Sequence, residues 1–182
     1  MKNRYTLSAA QAGHKLSVNR AAGTITGLSL VTANGEAKGH GLFIDGETLN
    51  TALKCIKAAG GRLKCAIKHL SYGETDRVTE FPGWFESVFI SGSRLIAGKL
   101  EFYDDFKTGD ATKRLFSRLI EMAEKTPDLF GLSLEAYGYA VYVAEDGTEY
   151  SKQPYGVPLR YNGVPAMRCV EVTYAAFVDN PA

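Results

Sequence analysis

The amino-acid sequence predicts an α+β domain, mostly antiparallel β-structure with two helices, and three observations predict it. Period-two alternation of apolar and polar residues recurs along the chain, whereas two segments repeat at helical spacing. The 182 residues, 45% of them hydrophobic, are enough for one substantial core rather than two small ones.

The elements follow in order. Residues 1–22 are polar and alanine-rich without clear periodicity and are expected to form a loosely held arm, so that residues 23–182 make the single domain. Gly23 to Thr32 is rich in Thr, Ile, Leu and Val and reads as a strand, followed by the turn dipeptide Asn34-Gly35 and a short strand at Leu42 to Ile44. Glu47 to Ala59 carries Leu49, Leu53 and Ile56 at helical spacing and stops at Gly60-Gly61. Leu63, Cys65 and Ile67 alternate with Arg62, Lys64 and Lys68 as in a half-buried strand, and His69 falls in phase with the apolar face. Trp84 to Ile90 and Arg94 to Phe102, joined by Ser91-Gly92-Ser93, read as a hairpin. Ala111 to Lys125 is a second amphipathic helix, with Asp110 placed as its N-cap and Pro127 as its stop. Gly131 to Ala144 is a long strand in which Leu132, Leu134 and Ala136 face one way and Ser133, Glu135 and Tyr137 the other. Asp146-Gly147 turns the chain, Gln153 to Pro165 is irregular, and Met167 to Val178 is the last strand.

Charge names no partner. With 21 Lys plus Arg against 20 Asp plus Glu, the net charge of +1 offers no field for nucleic acid or an anionic membrane. No apolar run is long enough to cross a bilayer, so a soluble cytosolic protein is expected. Cys55, Cys65 and Cys169 form no CxxC pair and read as buried thiols. His14, His40 and His69 lack metal-ligand spacing, so neither metal nor cofactor is expected.

Serine becomes a nucleophile when a histidine takes its proton, and the residues best placed for this are Ser133, held on a strand, and His69 at a strand end. Cys65 and His69, four residues apart on one strand, would be separated by roughly 13 Å and make no cysteine–histidine pair. The chain also presents, in order, Ile67-Lys68-His69, Tyr72-Gly73, Leu95-Ile96-Ala97-Gly98-Lys99-Leu100, the helix Leu115 to Ala123, Phe130-Gly131-Leu132-Ser133-Leu134-Glu135, and Phe177-Val178-Asp179-Asn180-Pro181-Ala182.

This ordered set, from Lys64 to Ala182, resembles the phage prohead (capsid maturation) serine proteases, which are related to the herpesvirus assemblins. The resemblance implies a small β-barrel flanked by helices and a serine endopeptidase with His69 and Ser133 as catalytic residues. It further implies phage scaffold and major capsid proteins as substrates, self-cleavage, and a location inside the immature head in the host bacterial cytoplasm; it allows a homo-oligomer. Because the assemblins take their third residue from the strand after the serine, Glu171 is the expected third member. His40, Asp45 or no third residue remain as alternatives. No arginine follows Glu171, a departure from the assemblin oxyanion loop, and Arg160 and Arg168 are left outside the site. Phage head proteases are often the front part of a longer polypeptide, so the end at Ala182 is expected to lie at a linker open to cleavage. Two other readings stand beside this one: a protease-like capsid scaffold without catalysis, and an unrelated β-barrel binding module using the C-terminal tyrosines.

Overall fold

The computed structural model describes residues 3–10, 16–37, 39–68, 81–129 and 131–178, the side chains of residues 8–10 and 128 excepted. In chain order the elements are β1 (Asn3–Ala10), β2 (Ser17–Asn19), β3 (Thr24–Thr32), β4 (Gly35–Ala37), β5 (Leu42–Ile44), α1 (Gly46–Ala58), β6 (Leu63–Ala66), β7 (Gly83–Ser91), β8 (Arg94–Phe102), α2 (Asp104–Thr108), α3 (Lys113–Lys125), β9 (Gly131–Val143), β10 (Glu149–Tyr150) and β11 (Ala166–Val178).

The architecture is mixed α+β, with one open sheet and three helices. The strands run in the order β1-β9-β11-β6-β7-β8-β3-β2, with β10 added to β9, and with β5 pairing both β11 and β4. Most pairs are antiparallel, as expected, but β11 runs parallel to both β6 and β5. β1 and β2 lie at the two ends of the path and do not pair with each other among the described residues. The sheet nevertheless brings β3 against β1 and β9, so Ile25, Leu28 and Leu30 share one core with Leu7, Leu132, Leu134 and Phe85.

Local sequence explains the elements that matter to the site. Asp45 caps α1, its carboxylate accepting from the Thr48 amide at 2.7 Å while the Thr48 hydroxyl reaches back to the Asp45 amide, which satisfies two otherwise orphaned donors. At the other end Gly60 and Gly61, at φ 97° and 77°, take the left-handed conformation that stops the helix. Asp110 is not the cap of the second long helix. Its N-cap is Thr112, whose hydroxyl bonds the carbonyls of Asp105 and Gly109, because the preceding segment folds into the extra short helix α2.

The N-terminal arm also differs from expectation: Asn3–Ala10 pairs antiparallel with β9 along its whole length, from Asn3 opposite Gly138 to Ala10 opposite Gly131. Tyr5 and Leu7 enter the core from this strand.

Close backbone packing shows at Gly138 of β9, beside the register shift in β11 between Cys169 and Glu171. A Cβ there would lie 2.2 Å from the Arg168 carbonyl oxygen. Gly138→Ala is therefore expected to cost about 1–3 kcal/mol in urea unfolding, the range for overpacking a tight site. An unchanged midpoint would show that β11 yields to the methyl group.

Candidate active site around Ser133

β9 alternates strictly through its first half. Leu132, Leu134 and Ala136 belong to the main core, and Ser133 and Glu135 project from the opposite face. Both are buried, at 1% and 3% exposure, which makes this second face an interior rather than a solvated surface. A small apolar cluster of Ala66, Tyr174 and Ala176, with Phe81 packed against it, accompanies them.

Register defines two rows across the sheet here. In the first, Ser8, Ser133, Ala176 and Ala66 stand on four neighbouring strands; in the second, Thr6, Glu135, Tyr174 and Lys64 do. Strands lie about 4.8 Å apart, so Ser133 and Ala66 are about 10 Å apart across the intervening β11. The residue between them is Ala176, the smallest side chain that still covers the backbone. Two residues beyond Ala66 the described chain reaches Lys68; His69, the expected base, lies outside the described residues.

Glu135 has several polar partners on this face. Its carboxylate accepts from the Tyr174 hydroxyl at 2.6 Å and from the Thr173 hydroxyl at 3.2 Å, and it forms an ion pair with Arg4 of β1. A buried carboxylate needs such partners, since an unpaired one would take up a proton instead. The Arg4 guanidinium sits in two opposing influences, with burial lowering its pKa and the Glu135 contacts raising it, and the net shift is upward. Sequence reading placed Glu135 in phase with Ser133 but passed over it as a site residue. Its partners are 131 and 39 positions away and leave no local signal.

The three candidates for the third catalytic role fall in different places. Glu171 is opposite Tyr137, four residues along β9 from Ser133, a separation of about 13 Å at roughly 3.3 Å per residue. It is exposed, and its charge acts on Cys55 of α1. The structure does not bring Glu171 to Ser133. Asp45 is committed elsewhere: besides capping α1 it receives Arg168 in a bidentate pair at 2.8 and 2.9 Å, and the Tyr161 hydroxyl at 3.1 Å. Burial works to raise the Asp45 carboxyl, but the hydrogen bonds from Arg168 and Thr48 outweigh it and hold the group below the usual carboxylate range. His40 comes nearer. Its Nε2 is 3.0 Å from the Thr6 hydroxyl and accepts from the Thr6 amide at 3.3 Å, at the outer edge of β1, and Thr6 is the partner of Glu135.

Arg160 and Arg168 lie away from Ser133. Arg160 donates to the Glu145 carbonyl, and Arg168 is opposite Tyr139, six residues from Ser133. Burial raises the Cys65 thiol well above its ordinary value and pushes Cys169 up to about 12; burial, then the Glu171 charge, raises Cys55. Among the described residues no group of three or more His, Cys, Asp or Glu is placed to hold a metal ion, and no helix is long and apolar enough to cross a membrane.

Comparison of the chain with protein-family models, with characterised proteins and with solved structures finds no match, so the functional reading stands on these residues and their geometry.

Proposed function

We propose that this chain is a serine endopeptidase of the prohead-maturation kind, with Ser133 as nucleophile and His69 as general base. The observation that supports the reading is the row Ser133–Ala176–Ala66, which puts the nucleophile two strands from the end of the strand that leads toward residue 69, with only Ala176 between. In the reaction the Ser133 hydroxyl gives its proton to the His69 imidazole as Oγ bonds to the scissile carbonyl carbon. The C–N bond then breaks, the imidazolium returns that proton to the departing amine, and water releases the acyl group by the same steps in reverse order. Among the described residues Glu135 is the carboxylate closest in register to the nucleophile, and it links β1 and β11 through Arg4 and Tyr174.

The substrates in this reading are phage scaffold and major capsid proteins, and the chain itself, within an immature head in the bacterial cytoplasm. Its finer fold is the assemblin-like barrel, toward which the packing of β3 on β1 and β9 tends. The test is labelling by an alkyl fluorophosphonate, in which Ser133 Oγ bonds to phosphorus as fluoride leaves. A single adduct on the peptide containing Ser133 is expected, absent in His69→Ala. The 1% exposure of Ser133 favours one other reading, a protease-like capsid scaffold without catalysis, and an unlabelled protein would select it.

A further inference from the structure

Ser133 stands in register between Ser8 of β1 and Ala176 of β11, and both flanking strands must be held for that row to exist. Each has a way to slip. β11 shifts register between Val172 and Tyr174, so Thr173 is an extra residue against β9, and the count that brings Ala176 opposite Ser133 depends on it. β1 lies at one end of the strand path and pairs only with β9 among the described residues, a placement from which strands open at low cost. One side chain meets both needs. The buried Glu135 carboxylate, two residues along β9 on the same face as Ser133, accepts from the Thr173 hydroxyl at 3.2 Å and from the Tyr174 hydroxyl at 2.6 Å. The Thr173 hydroxyl also lies 3.3 Å from the Glu135 carbonyl oxygen, which pins the extra residue directly. From the other side Arg4 pairs with the same carboxylate and donates to the Tyr174 hydroxyl at 3.3 Å, closing a triangle of side chains across β1, β9 and β11.

Resting on the endopeptidase reading, we infer that Glu135 and Arg4 are positioning residues: together they fix the register of β11 and the docking of β1 on either side of Ser133, so the N-terminal strand is part of the working centre. The use of an ion pair supports this role. A buried pair need add no stability over apolar side chains of similar volume, whereas it selects one arrangement of its partners, because any other leaves a charge buried without a counter-charge. A slip of one residue in β11 would turn Ala176 away from the Ser133 face and take the Thr173 and Tyr174 hydroxyls from Glu135. Opening of β1 would strip Glu135 of its guanidinium partner.

The experiment measures the rate constant for labelling of Ser133 by an alkyl fluorophosphonate in the full-length protein without urea, with urea unfolding of each variant alongside. Glu135→Gln keeps the size of the side chain and an oxygen for the two hydroxyls but gives up the charge; Arg4→Met gives up the guanidinium. Each is expected to lower the labelling rate by about 10²-fold, the scale for a misplacement of about 1 Å. The double variant should lose no more than the larger single loss, since both break one link. Arg4→Lys, which keeps the charge, should recover most of the rate. If a single variant fails to fold, the double variant, with neither charge left unpaired, carries the same comparison against Arg4→Lys. Folded variants that label at the parent rate, whatever their urea midpoints, would show a pair that only stabilises and would overturn the positioning role alone. Losses that multiply in the double variant would do the same, by showing independent effects. A parent protein that is not labelled would overturn the endopeptidase reading and the positioning role with it.

Discussion

Arg168→Met is expected to lower stability by about 3–5 kcal/mol, the range for removing one partner of a buried ion pair. Asp45 and Arg168 are 6% and 3% exposed, and methionine would leave the Asp45 carboxylate among buried neighbours without its guanidinium. More than one pair is lost. Arg168 also donates to Glu149 at 2.8 Å and to the Met167 carbonyl at 2.7 Å, so it ties the start of β11 to the α1 cap and to β10. Asp45 titrates lower folded than unfolded, so its contribution is complete above the ordinary carboxylate value of about 3.9 and is lost as pH falls through the lower folded value. The gap between parent and variant should accordingly narrow on acidification below pH of about 4. Urea unfolding at pH 7 and at pH 3 measures both effects; a loss below about 1 kcal/mol at neutral pH would mean that the cluster behaves as a solvated surface pair.

Ser133→Ala is expected to remove peptide cleavage, by about 10⁶-fold if the residue works as one unit with its base. His69→Ala should cost about as much, and the double variant little more, because either loss breaks the same proton transfer. The fold should survive, since Ser133 sits beside Ala176 and alanine fits the same strand position. Cleavage of capsid and scaffold proteins by parent and variants, followed by mass spectrometry, measures the effect, and cleavage retained in Ser133→Ala would end the protease assignment. Glu171→Gln belongs in the same series. Its distance along β9 predicts a change below about tenfold, within the reach of an indirect effect, and a larger loss would restore it to the third role.

Where periodicity is local, the sequence was readable. The helix of residues 46–58, the hairpin of β7 and β8, and the alternation of Ser133 and Glu135 against Leu132 and Leu134 all follow from neighbours within one turn or one pleat. Features set by distant partners were not. Tyr5 and Leu7 do alternate with Arg4 and Thr6, but the strand they form is stabilised by β9, more than a hundred residues away, and the surrounding alanines hide the pattern. The short helix α2, with five residues, is below the length at which a repeat can be seen. The position of Glu171 along β9 was not readable either, because register is set by pairing between distant strands: β11 shifts register between Cys169 and Glu171 and again between Val172 and Tyr174, and Glu171 comes opposite Tyr137, four residues from Ser133.

The insertion of β11 between β9 and β6 also fixes when the site can exist. β6 emerges early from the ribosome and β9 follows, but they are not neighbours in the sheet; only the final strand joins them. Until residues 174–176 have been synthesised and have docked, Ser133 has no row connecting it to Ala66, and the segment that leads to His69 is anchored to β7 alone. Translation therefore acts as a timer. In the proposed protease, a nascent chain lacking β11 would carry both Ser133 and His69 without the row that connects their strands.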